Sequence, residues 1–239
     1  MTQKKFLTAE WRNLIMANYA VDPGILKTYL PAKTELDCWN EKYYVSLVGF
    51  MFQQVRVYGL KIPLRVNFPE VNLRFYVRYK DANGTWKRGV VFINEIVPKR
   101  AISFVANRIF NENYKCLPMQ SCHDIAGDQL IIKYCWKYKA EWNSIRFDTT
   151  EPADTLLANS EEEFITEHFW GYTKIDNKRT AEYYVEHPRW NVYRPDHYQI
   201  HCDFKNLYGR SFADMSDRQP DSVFMAEGSP ITVYMKKII

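Results

Sequence analysis

A chain of 239 residues is long enough to bury a sizeable core, and all-β folds of this length run as one domain, so a single domain over residues 1–239 is expected. Hydrophobic and charged shares of 46% and 25% exclude disordered and fibrous classes, and the 32 basic and 28 acidic residues are interspersed, so the net charge of +4 forms no nucleic-acid-binding run. Five cysteines without a C-x-x-C pair argue against a disulfide framework or zinc knuckle, and no apolar stretch reaches the roughly 20 residues of a membrane helix.

These bounds lead to the expectation of a cytoplasmic protein with reduced thiols, bound to neither membrane nor nucleic acid and compatible with an oligomer. Its 17 Tyr, 14 Phe and 7 Trp favour strands and pocket walls.

In chain order, Thr8 can cap a helix whose face carries Trp11, Leu14, Ile15 and Tyr19. Asp22 before Pro23 starts a second short helix that Pro31 ends. Residues 43–58, rich in Val, Phe and Tyr, read as a long strand that is either bent near Gly49 or strongly coiled as in a barrel. Residues 70–80 and 89–97 form a hairpin across Asn83-Gly84.

Residues 98–110 change to a helical period, with Ile102, Val105, Ala106 and Ile109 on one face. Residues 113–121 and 129–142 read as extended, joined near Gly127. After a loop at 149–159, Ser160 and Glu163 have capping-box spacing for a helix. Residues 180–187, 198–208 and 223–235 supply further strands, the last interrupted by a turn at Gly228-Ser229-Pro230. The expected fold is α+β, a predominantly antiparallel β-barrel or cone with flanking helices.

The chemistry concentrates in residues 70–80. Val71, Leu73, Phe75 and Val77 take one face, so the strand's period of two places Glu70, Asn72, Arg74, Tyr76 and Arg78 on the other. On the next strand Val91, Ile93, Glu95 and Val97 share a face, making Glu95 a carboxylate in an apolar row that requires a partner, most simply Arg74.

Lys115, if desolvated, is a candidate nucleophile, and its neighbour Tyr114 a candidate ligand contact. His168 is either a proton carrier in a ligand site or a helix C-terminal cap. His197, Gln199, His201 and Asp203 alternate onto one face, as metal ligands or as a solvated surface; the solvated surface is preferred, and no metal or cofactor is expected.

One set of motifs spans nearly the whole chain: Trp11 with Tyr19, Asp22-Pro23, Leu30-Pro31, Tyr44-Val45-Ser46-Leu47-Val48, Glu70-Val71-Asn72-Leu73-Arg74, Phe164-Ile165-Thr166-Glu167, Tyr172-Thr173, and His187 with Trp190. In this the sequence resembles the YqjF-like family of domains of unknown function, itself similar in fold to the acetoacetate decarboxylase superfamily. The resemblance implies a barrel or cone around a central cavity. It also implies a lysine pair whose nucleophilic member forms a Schiff base with a β-keto acid. Here the pair is replaced by Tyr114-Lys115, with Tyr114 in the nucleophile's place on a gap-free pairing.

The leading expectation is therefore a cavity that binds a small organic anion through Arg74 and Arg78, with Glu70, Tyr114, His168 and Glu95 orienting polar groups. One alternative is an enzyme acting on keto acids or related carbonyl compounds through Lys115 or Glu95. A third is a structural or interaction domain in which the same stripe is a buried network.

Overall fold

The first long segment is extended. In the computed structural model, which describes residues 4–61, 66–98 and 113–239, residues Lys5–Val21 form strand β1 instead of the expected helix. The register of β1 against its neighbour slips between Arg12 and Ile15, and Asn13 takes a positive φ of 54°. This bulge inserts one residue into a period of two, so Trp11 and Leu14 come to one face while Ile15, Ala17 and Tyr19 take the other. A spacing of three followed by four imitates a helix.

The remaining strands are β2 (Glu35–Leu36), β3 (Tyr43–Val57), β4 (Leu60–Lys61), β5 (Phe68–Lys80), β6 (Trp86–Val97), β7 (Tyr114–Cys116), β8 (Met119–Ala126), β9 (Gln129–Tyr138) and β10 (Glu141–Thr149). They continue with β11 (Trp170–Lys174), β12 (Thr180–Glu186), β13 (Val192–Tyr193), β14 (His197–His201), β15 (Ser222–Tyr234) and β16 (Lys237–Ile238). Short helices cover Pro23–Leu26, Glu161–Thr166 and Phe204–Tyr208, the last followed by a 3₁₀ turn over Arg210–Ser216. The helix expected over 98–110 lies outside the described residues, apart from Pro98.

Seven strands close a ring, β1–β3–β5–β6–β11–β12–β15 and back to β1. All neighbours in it are antiparallel except β6 and β11. This is the predominantly antiparallel barrel or cone expected. A second sheet, β14–β10–β9–β8, packs Ile132, Tyr134, Trp136, Ile145 and Phe147 against the outward residues of the ring, including Val45, Leu47, Val71, Leu73 and Phe75. The other apolar cluster, with Val48, Phe50, Phe52, Tyr76, Val90 and Val185, occupies the inner face.

Several boundaries differ from the sequence pattern for local reasons. Residues 129–142 are two strands joined at Lys139, whose φ is 54°. The strand expected to reach Tyr208 stops at His201, because Asp203 caps a helix by accepting from Asn206 N at 3.1 Å. Gly228-Ser229-Pro230 lies within β15 and makes no turn. Gly228 has a φ of 83°, and a Cβ there would sit 2.1 Å from the Trp11 carbonyl oxygen, so the close approach of β1 requires glycine. Ser160 does cap its helix, accepting from Glu163 N at 3.1 Å, but the Glu163 carboxylate accepts from Asn159 N instead of closing the reciprocal box.

Candidate functional site

The polar stripe of β5 faces the inside of the ring. Glu70, Asn72 and Arg74 are buried and line a cavity of about 200 Å³. All seven ring strands contribute to its wall, for example through Trp11, Val48, Arg74, Val90, Trp170, Tyr183 and Val233. Arg78, on the same stripe, lies beyond the cavity. Its exposed guanidinium pairs with Glu35 at 2.6 Å and covers the Trp86 ring. The expected role of Arg78 beside the ligand is corrected to a surface ion pair, because the stripe leaves the ring interior after Tyr76.

Glu95 reaches the cavity by a route that alternation alone does not give. The β5–β6 register shifts between Leu73, opposite Asn94, and Arg74, opposite Phe92. Ile93 is the extra residue, and the bulge leaves Val91 and Ile93 on the outer face while turning Glu95 inward with Val97. The cross-strand partner of Glu95 is accordingly Asn72, not Arg74. On the far side Glu95 pairs with Tyr114 of β7, so Asn72, Glu95 and Tyr114 form one row across three strands.

Tyr114 donates to Glu70 Oε2 at 3.3 Å, and Asn72 Nδ2 donates to Glu70 Oε1 at 3.2 Å. Burial, reinforced by the charges of Glu70 and Glu95, pushes the Tyr114 phenol well above its ordinary pKa, so it remains a donor. Lys115 occupies the opposite face of β7. Its ammonium donates to the Leu207 carbonyl at 2.9 Å, and Lys115 is not among the residues lining the cavity. Burial lowers its pKa, yet the geometry corrects the expected nucleophile to a strand-to-helix tether.

Arg74 is the central cation. Its Nη2 contacts the Ile165 carbonyl at 3.4 Å and the Met16 sulfur at 3.8 Å, and its guanidinium lies 5.7 Å from the centre of the Tyr76 ring. Its Nε has no hydrogen-bond partner, and among the described residues it forms no ion pair. A buried guanidinium in this state is costly unless a further anion or acceptor satisfies it.

Two imidazoles flank this charge. His168 follows the helix Glu161–Thr166 but does not cap it; its ring is buried against Tyr76 and Phe164. Its Nε2 faces the Asp37 carboxylate, 3.5 Å from Oδ2, and its Nδ1 has no hydrogen-bond partner. Burial, together with the Arg88 and Arg74 charges, brings His168 down to a pKa of about 4.

His187, expected at the end of a strand and paired with Trp190 among the family motifs but not among the site residues, also lines the cavity. It is sandwiched between Phe169 and Trp190, with ring centres 4.6 and 4.2 Å away. Its Nδ1 lies 2.9 Å from the Pro188 carbonyl, which can only accept, so Nδ1 carries the proton and Nε2 holds the lone pair in the neutral ring. Burial again dominates and lowers its pKa to about 4. The sequence signal available was His187 beside Pro188 and Trp190.

The other histidine face proves ordinary: His197, Gln199 and His201 are exposed on β14. Among the described residues no group of three or more His, Cys, Asp or Glu is placed to hold a metal ion. No helix among them is long and apolar enough to cross a membrane.

Comparison with known proteins agrees with this architecture. Residues 8–230 match DUF2071, described as "Uncharacterized conserved protein". The chain belongs to this family. It is 30% identical over 182 residues to the "Uncharacterized protein YqjF" of Bacillus subtilis (strain 168), covering 74% of this chain and 72% of that one.

Among solved structures it is similar to acetoacetate decarboxylase from Legionella pneumophila, with a TM-score of 0.66, 15% identity, and coverage of 99% of this chain and 88% of that one. It is also similar to the enduracididine biosynthesis enzyme MppR complexed with pyruvate, with a TM-score of 0.69, 11% identity, and coverage of 100% and 91%. A third similar structure is an acetoacetate decarboxylase-like enzyme from Sphingomonas wittichii, with a TM-score of 0.66, 10% identity, and coverage of 99% and 94%. The family is thus an uncharacterized one built on the acetoacetate decarboxylase-like fold, some of whose structural neighbours are enzymes.

Proposed function

We propose that the ring cavity binds a small organic anion, with Arg74 pairing its carboxylate. The observation that carries this reading is the buried Arg74 guanidinium inside the ring, its Nε without a partner and its charge unmatched by any described carboxylate within ion-pairing distance. Trp11 Nε1, on a residue lining the same cavity, also lacks a hydrogen-bond partner. A bound carboxylate would accept from such groups while relieving the desolvated cation. That one solved neighbour is complexed with pyruvate is in keeping with this chemistry.

Thermal-shift measurements across small monocarboxylates test the anchor. The wild-type chain should be stabilised in a concentration-dependent way, as linkage requires of any ligand that binds the folded state alone. Arg74→Met should abolish the response while Arg74→Lys retains part of it. A full response in folded Arg74→Met would overturn Arg74 as the anchor.

An acid–base enzyme on carbonyl compounds is the second reading, favoured by Glu95 and the Tyr114 donor in the same cavity as the lone pair of His187. Imine chemistry through Lys115 has no such support, because that amine is tied to the Leu207 carbonyl.

A further inference from the structure

We infer that the cavity's ligand is an aromatic monocarboxylate, a carboxylic acid carrying one ring on a short arm; this rests on the anion reading above and narrows it to a substrate class. Much of the cavity wall is made of rings and aliphatic side chains. Phe50, Phe52, Phe68, Phe92 and Trp11 all line it. Trp11 meets Phe50 and Phe52 edge-on at 5.6 and 6.0 Å, and Phe52 stacks on Phe68 at 5.0 Å. Such a surface offers both faces and edges to a further ring, an arrangement that aromatic pairs favour beyond simple burial.

Size points the same way. An apolar cavity of about 150 Å³ accepts benzene. The 200 Å³ here exceeds that by about the room needed for a carboxylate and a short arm. A four-carbon keto acid could pair with Arg74, but it would leave most of the aromatic wall without contact and forfeit the burial that wall offers.

Charge supplies the third constraint. Among the described lining residues Arg74 is the one Lys or Arg. Both imidazoles are neutral near pH 7, and the other charged side chains among the described lining residues, Glu70 and Glu95, are acidic. A second negative charge on the ligand would meet either the rings or these carboxylates, so dicarboxylates and phosphate are selected against.

Isothermal titration calorimetry of the full chain at about pH 7.5 separates these classes, using phenylacetate, acetoacetate, succinate, inorganic phosphate and, as a ring without charge, benzyl alcohol. Burying one ring should make phenylacetate bind about tenfold or more tightly than acetoacetate, with a negative heat-capacity change. Succinate, phosphate and benzyl alcohol should each bind more weakly than phenylacetate by a similar margin. Acetoacetate or succinate binding as tightly as phenylacetate overturns the aromatic class and leaves the Arg74 anchor standing. If no carboxylate binds at all, the anchor reading itself falls and takes this inference with it.

Discussion

Tyr114 and Lys115 are adjacent, and a strand sends adjacent side chains to opposite faces, so only one of them can enter the cavity. The parallel pairing of β7 to β6 aligns Tyr114 with Glu95, which settles which one it is. Lys115 then holds the carbonyl of Leu207 in the helix Phe204–Tyr208. Replacing Lys115 by Met should lower stability by about 1–2 kcal/mol, the loss of one charged hydrogen bond. It should leave the calorimetric affinity for a carboxylate unchanged, and borohydride treatment with keto acids should trap no adduct on the wild-type chain. Loss of ligand binding in a folded Lys115→Met variant, or an adduct at Lys115, would count against the tether. Of the residues singled out in the sequence, Glu70, Arg74, Glu95, Tyr114 and His168 all line the cavity. Choosing between two neighbours needed a register that no single strand encodes.

Strand irregularities explain most of what the sequence misled on. The polar stripe of β5 was legible because that strand alternates from Phe68 to Arg78 without interruption. β1 and β6 carry bulges, at Asn13 and near Ile93, and each bulge resets the side-chain alternation. In β1 the reset produces the 11, 14, 15, 19 spacing of an amphipathic helix, which local periodicity cannot distinguish from a bulged strand. His187 was missed for a related reason. It lies beyond the end of β12 and joins the site only because the ring closes through β15.

The short strand β11 makes that closure tight: Gly171 pairs with Tyr183 on one side and Val90 on the other. A Cβ at Gly171 would sit 2.1 Å from the Tyr183 ring, and both residues line the cavity. Gly171→Ala should therefore displace that ring, costing about 1–3 kcal/mol through overpacking, and weaken carboxylate binding in the same titration. An unchanged melting temperature with unchanged affinity would show that the wall yields without consequence.

At the scale of the whole molecule, the closed ring removes two imidazoles from water beside a cation, and that couples folding to pH. His168 and His187 titrate near 6.5 when unfolded and at about 4 when folded. Between these values the unfolded chain binds more protons than the folded one, so stability falls as pH falls. Each histidine can withdraw up to about 3 kcal/mol once the pH is below 4, and nothing above the unfolded value. Asp37 acts in the same direction at lower pH. Burial would raise its carboxyl, but His168 and Arg88 hold it at about 2, so its contribution is present above 3.8 and lost on descending through about 2. Urea unfolding should therefore give a midpoint that declines from pH 7 to pH 5, before any effect of Asp37 enters. A carboxylate bound beside Arg74 would favour the protonated imidazoles, so its affinity should rise over the same interval while the acid stays ionised. His187→Gln should flatten part of both dependences. A midpoint that stays level or rises on acidification would show that these rings are not held neutral inside the ring.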